Sequence, residues 1–296
     1  MKKRVLLIVN PSSGGEKARS YEDLAREKLE TIFDEVIVKH TEKSGDATAF
    51  ARGAAEENYH SVFVMGGDGT VNEGINGLAE LENRPNFGFF PLGTVNDLAR
   101  ALGMPLDPEK AINQLDIAKT KPLDIGKIND HYFMNVVAIG TLPEAINNVE
   151  SEEKTKWGKL AYFISGLKEV MTTHFYDFQL MIDGEELAIK SSTLVIGLTN
   201  SIGGFENMLP HAKVDDGMLH LIYLKDSSLV DTLKAVPELV TGVSDASQNV
   251  GYLTFKEAKI TLADSKAELS TNVDGDEGAS LPISVKVLPS HVTVYA

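Results

Sequence analysis

The sequence predicts an α/β protein: a doubly wound parallel-sheet N-terminal domain followed by a C-terminal antiparallel β-sandwich domain. Three observations carry that expectation. Short, wholly apolar runs alternate with helical spacing over residues 1–120, the signature of strands buried on both faces. Three of those runs end in polar, glycine-bearing loops. Beyond Pro122 the rhythm changes to short strand-like runs bounded by turn residues, which reads as a sandwich.

Val5-Leu6-Leu7-Ile8-Val9 is a buried first strand by composition, left by the turn Asn10-Pro11-Ser12-Ser13-Gly14-Gly15. A helical pattern from Lys17 to Ile32 and the run Glu35-Val36-Ile37-Val38 follow. A second helical stretch spans Thr41 to Asn58, with Gly45-Asp46 at its start. The run 61–65 enters Gly66-Gly67-Asp68-Gly69-Thr70, with a helix from Val71 to Leu81. Phe87-Gly88-Phe89-Phe90 enters Pro91-Leu92-Gly93-Thr94-Val95-Asn96-Asp97, and helices are expected over 95–102 and 108–118.

A hairpin over 123–136, turning at Asn129-Asp130, opens the second domain, residues 121–296. Helical patterns span 156–171 and 229–241. Strand signals mark 175–182, 187–199, 218–224, 251–262, 267–273 and 283–288. The last run, Val292-Thr293-Val294-Tyr295, fits either domain.

Composition narrows the function. The chain has 296 residues, 43% hydrophobic and 24% charged, which describes an ordinary soluble protein. It has no cysteine, so disulfides and thiolate chemistry are excluded. A net charge of −15 excludes nucleic acid as a partner and disfavours whole-molecule attraction to anionic lipid. The basic start Met1-Lys2-Lys3-Arg4 meets too short an apolar run for a signal peptide, and no stretch is long enough to span a bilayer. A cytoplasmic protein is expected.

The chemistry lies in the loops. Three glycines within Gly66–Thr70 let main-chain N–H groups press against a ligand, and a strand–turn–helix junction is a ready anion site. Asp68 would repel a phosphate by roughly 4 kcal/mol at 4 Å and an effective dielectric near 20. It fits if a divalent cation sits between them. A tight structural turn is the alternative. There is no G-x-x-x-x-G-K-[ST], G-x-G-x-x-G or G-x-S-x-G, and the seven histidines have no paired ligand spacing. Carboxylates and phosphate-cradling loops remain, which suits phosphoryl transfer by positioning and electrostatics.

The loops at 10–15, 66–73 and 91–97, with Pro-His-Ala-Lys-Val-Asp-Asp-Gly-Met-Leu at 210–219 and Asn-Val-Asp-Gly-Asp at 272–276, resemble the bacterial diacylglycerol kinase family of soluble lipid kinases. Sphingosine and ceramide kinases are similar in their catalytic domain. The matching segments run in order from Asn10 to Asp276, although phosphofructokinases and NAD kinases share Gly-Gly-Asp-Gly-Thr.

The resemblance implies ATP and Mg²⁺, a lipid substrate met at the membrane surface from its inner face, and a tendency to dimerise. It implies a nucleotide cradle of Asn10, Thr41, Gly66, Gly67, Asp68, Gly69, Thr70, Glu73, Gly93, Thr94 and Asn96. Thr70 otherwise N-caps its helix, Gly45-Asp46 is otherwise a plain cap, and Glu73 otherwise serves the helix dipole. The resemblance implies Asp68, Asp97 and Asp124 as Mg²⁺ residues and a second cation held near Lys213, Asp215 and Gly217. Asp97 is otherwise a helix cap and 215–217 otherwise a turn.

Asp274 matches the family's catalytic base, whereas Asp-Gly alone reads as a hairpin turn. Asp276 stands where the family has glutamate, and Val95 where glycine is frequent. The segment carrying Trp157, Leu160, Tyr162, Phe163 and Leu167 with interleaved lysines is either a membrane-facing surface or a core face. Two competing functions stay open: a soluble-substrate kinase of the phosphofructokinase or NAD kinase type, and a nucleotide-binding regulator without catalysis.

Overall fold

The computed structural model describes residues 2–15, 18–140, 175–206, 208–225, 242, 247, 249–264 and 268–296. The helical patterns expected over 156–171 and 229–241, including the amphipathic segment, lie outside those residues.

Four apolar strands form the parallel sheet: β1 (Arg4–Val9), β2 (Glu35–His40), β3 (Ser61–Gly66) and β4 (Asn86–Pro91), in the order β2-β1-β3-β4. Between them run α1 (Ala18–Glu30), α2 (Asp46–Glu56) and α3 (Asp68–Leu78), then α4 (Asp97–Leu102) and α5 (Pro108–Asn113). α1 and α5 bury Ala25, Leu29 and Ile112 against one face. α2, α3 and α4 bury Ala51, Ile75 and Leu98 against the other. Helices on both faces are why these strands are apolar throughout instead of alternating.

Strand order reverses between β1 and β3, the switch point at which open parallel sheets take ligands at the carboxyl ends of their strands. Register fixes what lines it. Val9 pairs with Met65 and Gly66 with Pro91, so the loops after β1, β3 and β4 leave the sheet side by side.

The second half supplies β5 (Thr120–Ile128), β6 (His131–Phe133), β7 (Val136–Gly140), β8 (Tyr176–Ile182), β9 (Glu185–Ser191) and β10 (Thr193–Gly197). It continues with β11 (Leu219–Leu224), β12 (Val250–Phe255), β13 (Glu257–Leu262), β14 (Ser270–Val273), β15 (Asp276–Ser280) and β16 (Ile283–Tyr295). An antiparallel sheet, β12-β11-β10-β7-β14-β15, packs against the antiparallel strands β16-β13-β8-β9. Ile139, Ile196, Leu221, Phe178, Ile260 and Val285 fill the layer between them.

The final apolar run belongs to one long strand that serves both halves. β16 pairs with β13 through Ile283–Lys286, and Val294 pairs in parallel with Phe87 of β4. A register shift between Leu288 and Val292 lets the strand bend around Pro289 and Ser290. At its end, Tyr295 stacks on Phe63, with centroids 5.4 Å apart, and its hydroxyl lies 2.7 Å from Ser61 Oγ.

Several boundaries differ from expectation. α3 begins at Asp68, so the glycine loop's last three residues already form the first helical turn. The apolar stretch 251–262 is two strands divided at Lys256, and 187–199 is divided at Ser192. β15 has no counterpart in the expected strands, because its Asp-Glu-Gly-Ala-Ser sequence is polar and largely exposed.

Candidate active site

The three loops touch. Asn10 Nδ2 donates to Thr70 Oγ1 at 2.9 Å, and Gly67 N donates to Ser13 Oγ at 3.3 Å. A Cβ added to Gly67 would meet Gly93 Cα at 3.3 Å, so the second and third loops pass backbone to backbone. The N-cap of α3 is Gly67, which has no side chain to cap the helix. Thr70 is therefore not the cap; it lies inside the first turn, nearly buried, with Asn10 as its partner.

Asp68 joins that loop to the next. Its Oδ2 accepts from Asn96 N at 2.8 Å and its Oδ1 from Asp97 N at 3.0 Å. Asn96 adopts left-handed backbone, φ +55°, and its amide side chain closes the loop on Gly93, accepting from Gly93 N and donating to Gly93 O, both at 2.8 Å. That side chain is engaged by its own loop. Thr94 is exposed at the tip.

Asp97, the first residue of α4, does not cap its helix. Its carboxylate crosses to the other half of the molecule, accepting from Ser201 Oγ at 2.6 Å, Gly203 N at 2.7 Å and Gly204 N at 2.9 Å. Asp124, buried in β5, likewise holds backbone: it accepts from Gly217 N and Ser290 N, both at 2.6 Å. Burial pushes its carboxyl up, and Asp216 and Asp215 nearby add to the effect. The loop carrying Lys213 and Asp215 closes through Asp216, which accepts from Lys213 N at 2.9 Å and Met218 N at 2.9 Å.

Glu73 turns away from the loops. Its carboxylate accepts from Ala47 N and Ser44 Oγ, each at 3.2 Å, and so caps the neighbouring helix α2. Asp46 holds the preceding turn, accepting from Glu42 N at 2.8 Å and Lys43 N at 3.0 Å. Thr41 N donates to Val9 O at 2.9 Å, beside the first loop.

Asp274 stands in the hairpin turn that its Asp-Gly sequence predicts. Asp274 and Gly275, at φ +50° and +101°, form the two-residue turn between β14 and β15. The carboxylate folds back on three successive amides that lead from β6 into β7: Met134 N at 2.8 Å, Asn135 N at 3.0 Å and Val136 N at 2.7 Å. Burial pushes this carboxyl up to about 6 against the pull of those amides, and the Asp68 charge adds to the rise. Asp68 is raised too, first by burial and then by Asp97. Three carboxylates from the two halves thus share one neighbourhood. Asp276 is exposed at the start of β15, opposite Val273.

Among the described residues, no group of three or more His, Asp or Glu side chains forms a metal cage. The residues nevertheless fit Mg²⁺ brought in by a phosphate ligand, which needs only one or two carboxylates. Asp68 is the part-exposed member of the expected trio, whereas Asp97 and Asp124 are buried. Its raised carboxyl, with negative neighbours, is where a cation would relieve charge.

Sequence reasoning missed Met134–Val136, whose contribution is main-chain N–H and leaves no side-chain signal. It also missed Ser201, Gly203 and Gly204, for which the Gly-Gly pair was the one visible sign.

The parallel sheet with glycine loops at its carboxyl edge, joined to a sandwich that presents an amide-held carboxylate, defines a two-part kinase architecture. Residues 4–128 match the diacylglycerol kinase catalytic domain, and residues 135–296 match the YegS C-terminal NAD kinase beta sandwich-like domain. A Streptococcus pneumoniae protein named "Putative lipid kinase" is 39% identical over 294 residues, covering 99% of this chain and 98% of its own. A Staphylococcus aureus diacylglycerol kinase is 37% identical over 296 residues, covering 100% and 93%. The crystal structure of a diacylglycerol kinase from Bacillus anthracis superposes with a TM-score of 0.79 at 25% identity, covering 100% and 97%. The chain belongs to the diacylglycerol kinase family of lipid kinases.

Proposed function

We propose that this protein transfers the γ-phosphate of ATP to the hydroxyl of diacylglycerol or a related lipid, giving phosphatidic acid or its analogue. The nucleotide lies against residues 1–120, and the lipid is met by residues 121–296 at the inner membrane surface, with a dimer as the expected assembly. The observation that supports this best is the pairing of Asp274, a carboxyl raised to about 6, with the Asp68 loop across the cleft.

The residues divide the work. The first amides of α3 and the Gly93 loop offer N–H groups to phosphate oxygens, while Asn10 holds Thr70 in place. Mg²⁺, when bound, neutralises phosphate charge, and Asp68 is the residue that would hold it. Asp274 is oriented by three amides and takes the acceptor hydroxyl's proton. A carboxylate is a weak base for an alcohol, so the proton moves late, together with formation of the new P–O bond. The rise to about 6 improves the match while leaving Asp274 ionised at neutral pH. Asp276 adds a second negative charge at the turn.

The experiment is radiolabel transfer from ATP across diacylglycerol, sphingoid bases, phosphatidylglycerol and undecaprenol in mixed micelles. Labelled lipid supports the reading. The NAD-kinase-like description of residues 135–296 favours one rival, a soluble acceptor. ATP consumption indifferent to lipid would favour that rival, and ATP binding without any phosphorylated product would favour a regulator.

A further inference from the structure

Ser201 has no exposed surface, and its hydroxyl donates to Asp97 Oδ1 at 2.6 Å. Two residues on, Gly203 and Gly204 take φ +61° and +79°, a backbone that turns both of their N–H groups onto the same carboxylate. Asp97 itself is 6% exposed, and its own amide holds Asp68 Oδ1. One residue therefore grips the phosphate loop with its main chain and the opposite half with its side chain. Arg100, one turn further along α4, repeats the crossing by pairing with Glu206 at 2.7 Å.

The same segment reaches the base. Leu198 N donates to Asn135 O at 2.9 Å, and Asn135 N donates to Asp274 Oδ1 at 3.0 Å. Thr199 Oγ1 donates to Ser201 O at 3.0 Å, stiffening the stretch that joins Leu198 to Ser201. A continuous chain thus runs from Asp68 through Asp97, Ser201, Leu198 and Asn135 to Asp274. We infer that Ser201 is a positioning residue for phosphoryl transfer: acting through Asp97, it sets the separation between the phosphate loop and the base. Its catalytic consequence rests on the kinase reading above, and Asp97 then serves as a latch instead of a metal ligand.

Ser201→Ala removes one hydrogen bond to a charged group, a loss worth about tenfold. The expected result is a kcat about tenfold lower in lipid phosphorylation, with KM for ATP and the Mg²⁺ half-saturation within about twofold of the native protein. Asp97→Asn carries the same reading if Ser201→Ala does not fold, and the double variant is no slower than Asp97→Asn alone. An unchanged kcat, or a tenfold shift in Mg²⁺ half-saturation for Asp97→Asn, overturns the inference. Hydrogen exchange decides the latch without activity: in Ser201→Ala the amides of Asn96 and Asp97 exchange faster together with those of Gly203 and Gly204. Faster exchange confined to 203–204 overturns it. A native protein that phosphorylates no lipid defeats the kinase reading, while the exchange result still stands or fails by itself.

Discussion

Gly67 and Gly93 approach so closely that a methyl group built on Gly93 would meet Gly67 Cα at 3.0 Å. The same methyl would lie 2.7 Å from Asn96 Oδ1 and 3.2 Å from Asp68 Oδ2. Only side-chain-free backbone lets the two loops share one wall, because Asp68 and Asn96 hold the Gly93 loop in place from behind.

Gly93→Ala is therefore expected to push the loops apart. Overpacking of this kind costs about 1–3 kcal/mol. On a surface loop it falls on ligand binding more than on the core. Calorimetry should show ATP affinity weakened by about tenfold, with the melting temperature little changed. Native affinity in this variant would mean that the loop contact does not shape the nucleotide site.

The pH profile tests the state of the base. Burial raises Asp274 to about 6, with Asp68 contributing, so the carboxyl is protonated below that value and ionised above it. Only the ionised form accepts a proton. The kcat should fall about tenfold per pH unit below about 6 and level off above it. A profile flat from about pH 4.5 to 8 would show that no group of this kind limits turnover.

Support of the base can be probed from behind. Gly126 of β5 faces Phe133 of β6, and a Cβ there would collide with the Phe133 ring. Phe133 directly precedes the amides that hold Asp274. Gly126→Ala should destabilise the fold by about 1–3 kcal/mol in urea unfolding. An unchanged midpoint would mean that the ring simply swings aside.

The parts legible in the sequence are those where one force dominates. Runs such as Val5–Val9 and Val62–Met65 are apolar throughout because helices cover both faces, so strand, sheet class and ligand edge follow together. Glycine loops announce the cleft for the same reason. The expected start of α3 falls three residues late, since Asp68-Gly69-Thr70 contributes no apolar periodicity to its first turn. β15 escapes because its residues are held by pairing with β14 and not by burial.

The roles of acidic side chains are hardest to read. Asp68, Asp97 and Asp124 look alike in sequence. In the structure each binds main-chain amides, and Asp97 commits its carboxylate to a loop more than 100 positions away. Glu73 likewise caps a different helix from its own. Such assignments depend on long-range backbone geometry, which a local pattern does not encode.

The most direct measurement of the central claim is Asp274→Asn. Asn keeps the side chain's size but cannot take the acceptor's proton. ATP binding should stay within about twofold of native, because Asp274 belongs to the β14–β15 turn and not to the glycine loops, while lipid phosphorylation falls by a factor of about a hundred or more. Turnover retained near the native rate would contradict the assignment of Asp274 as the group that activates the alcohol.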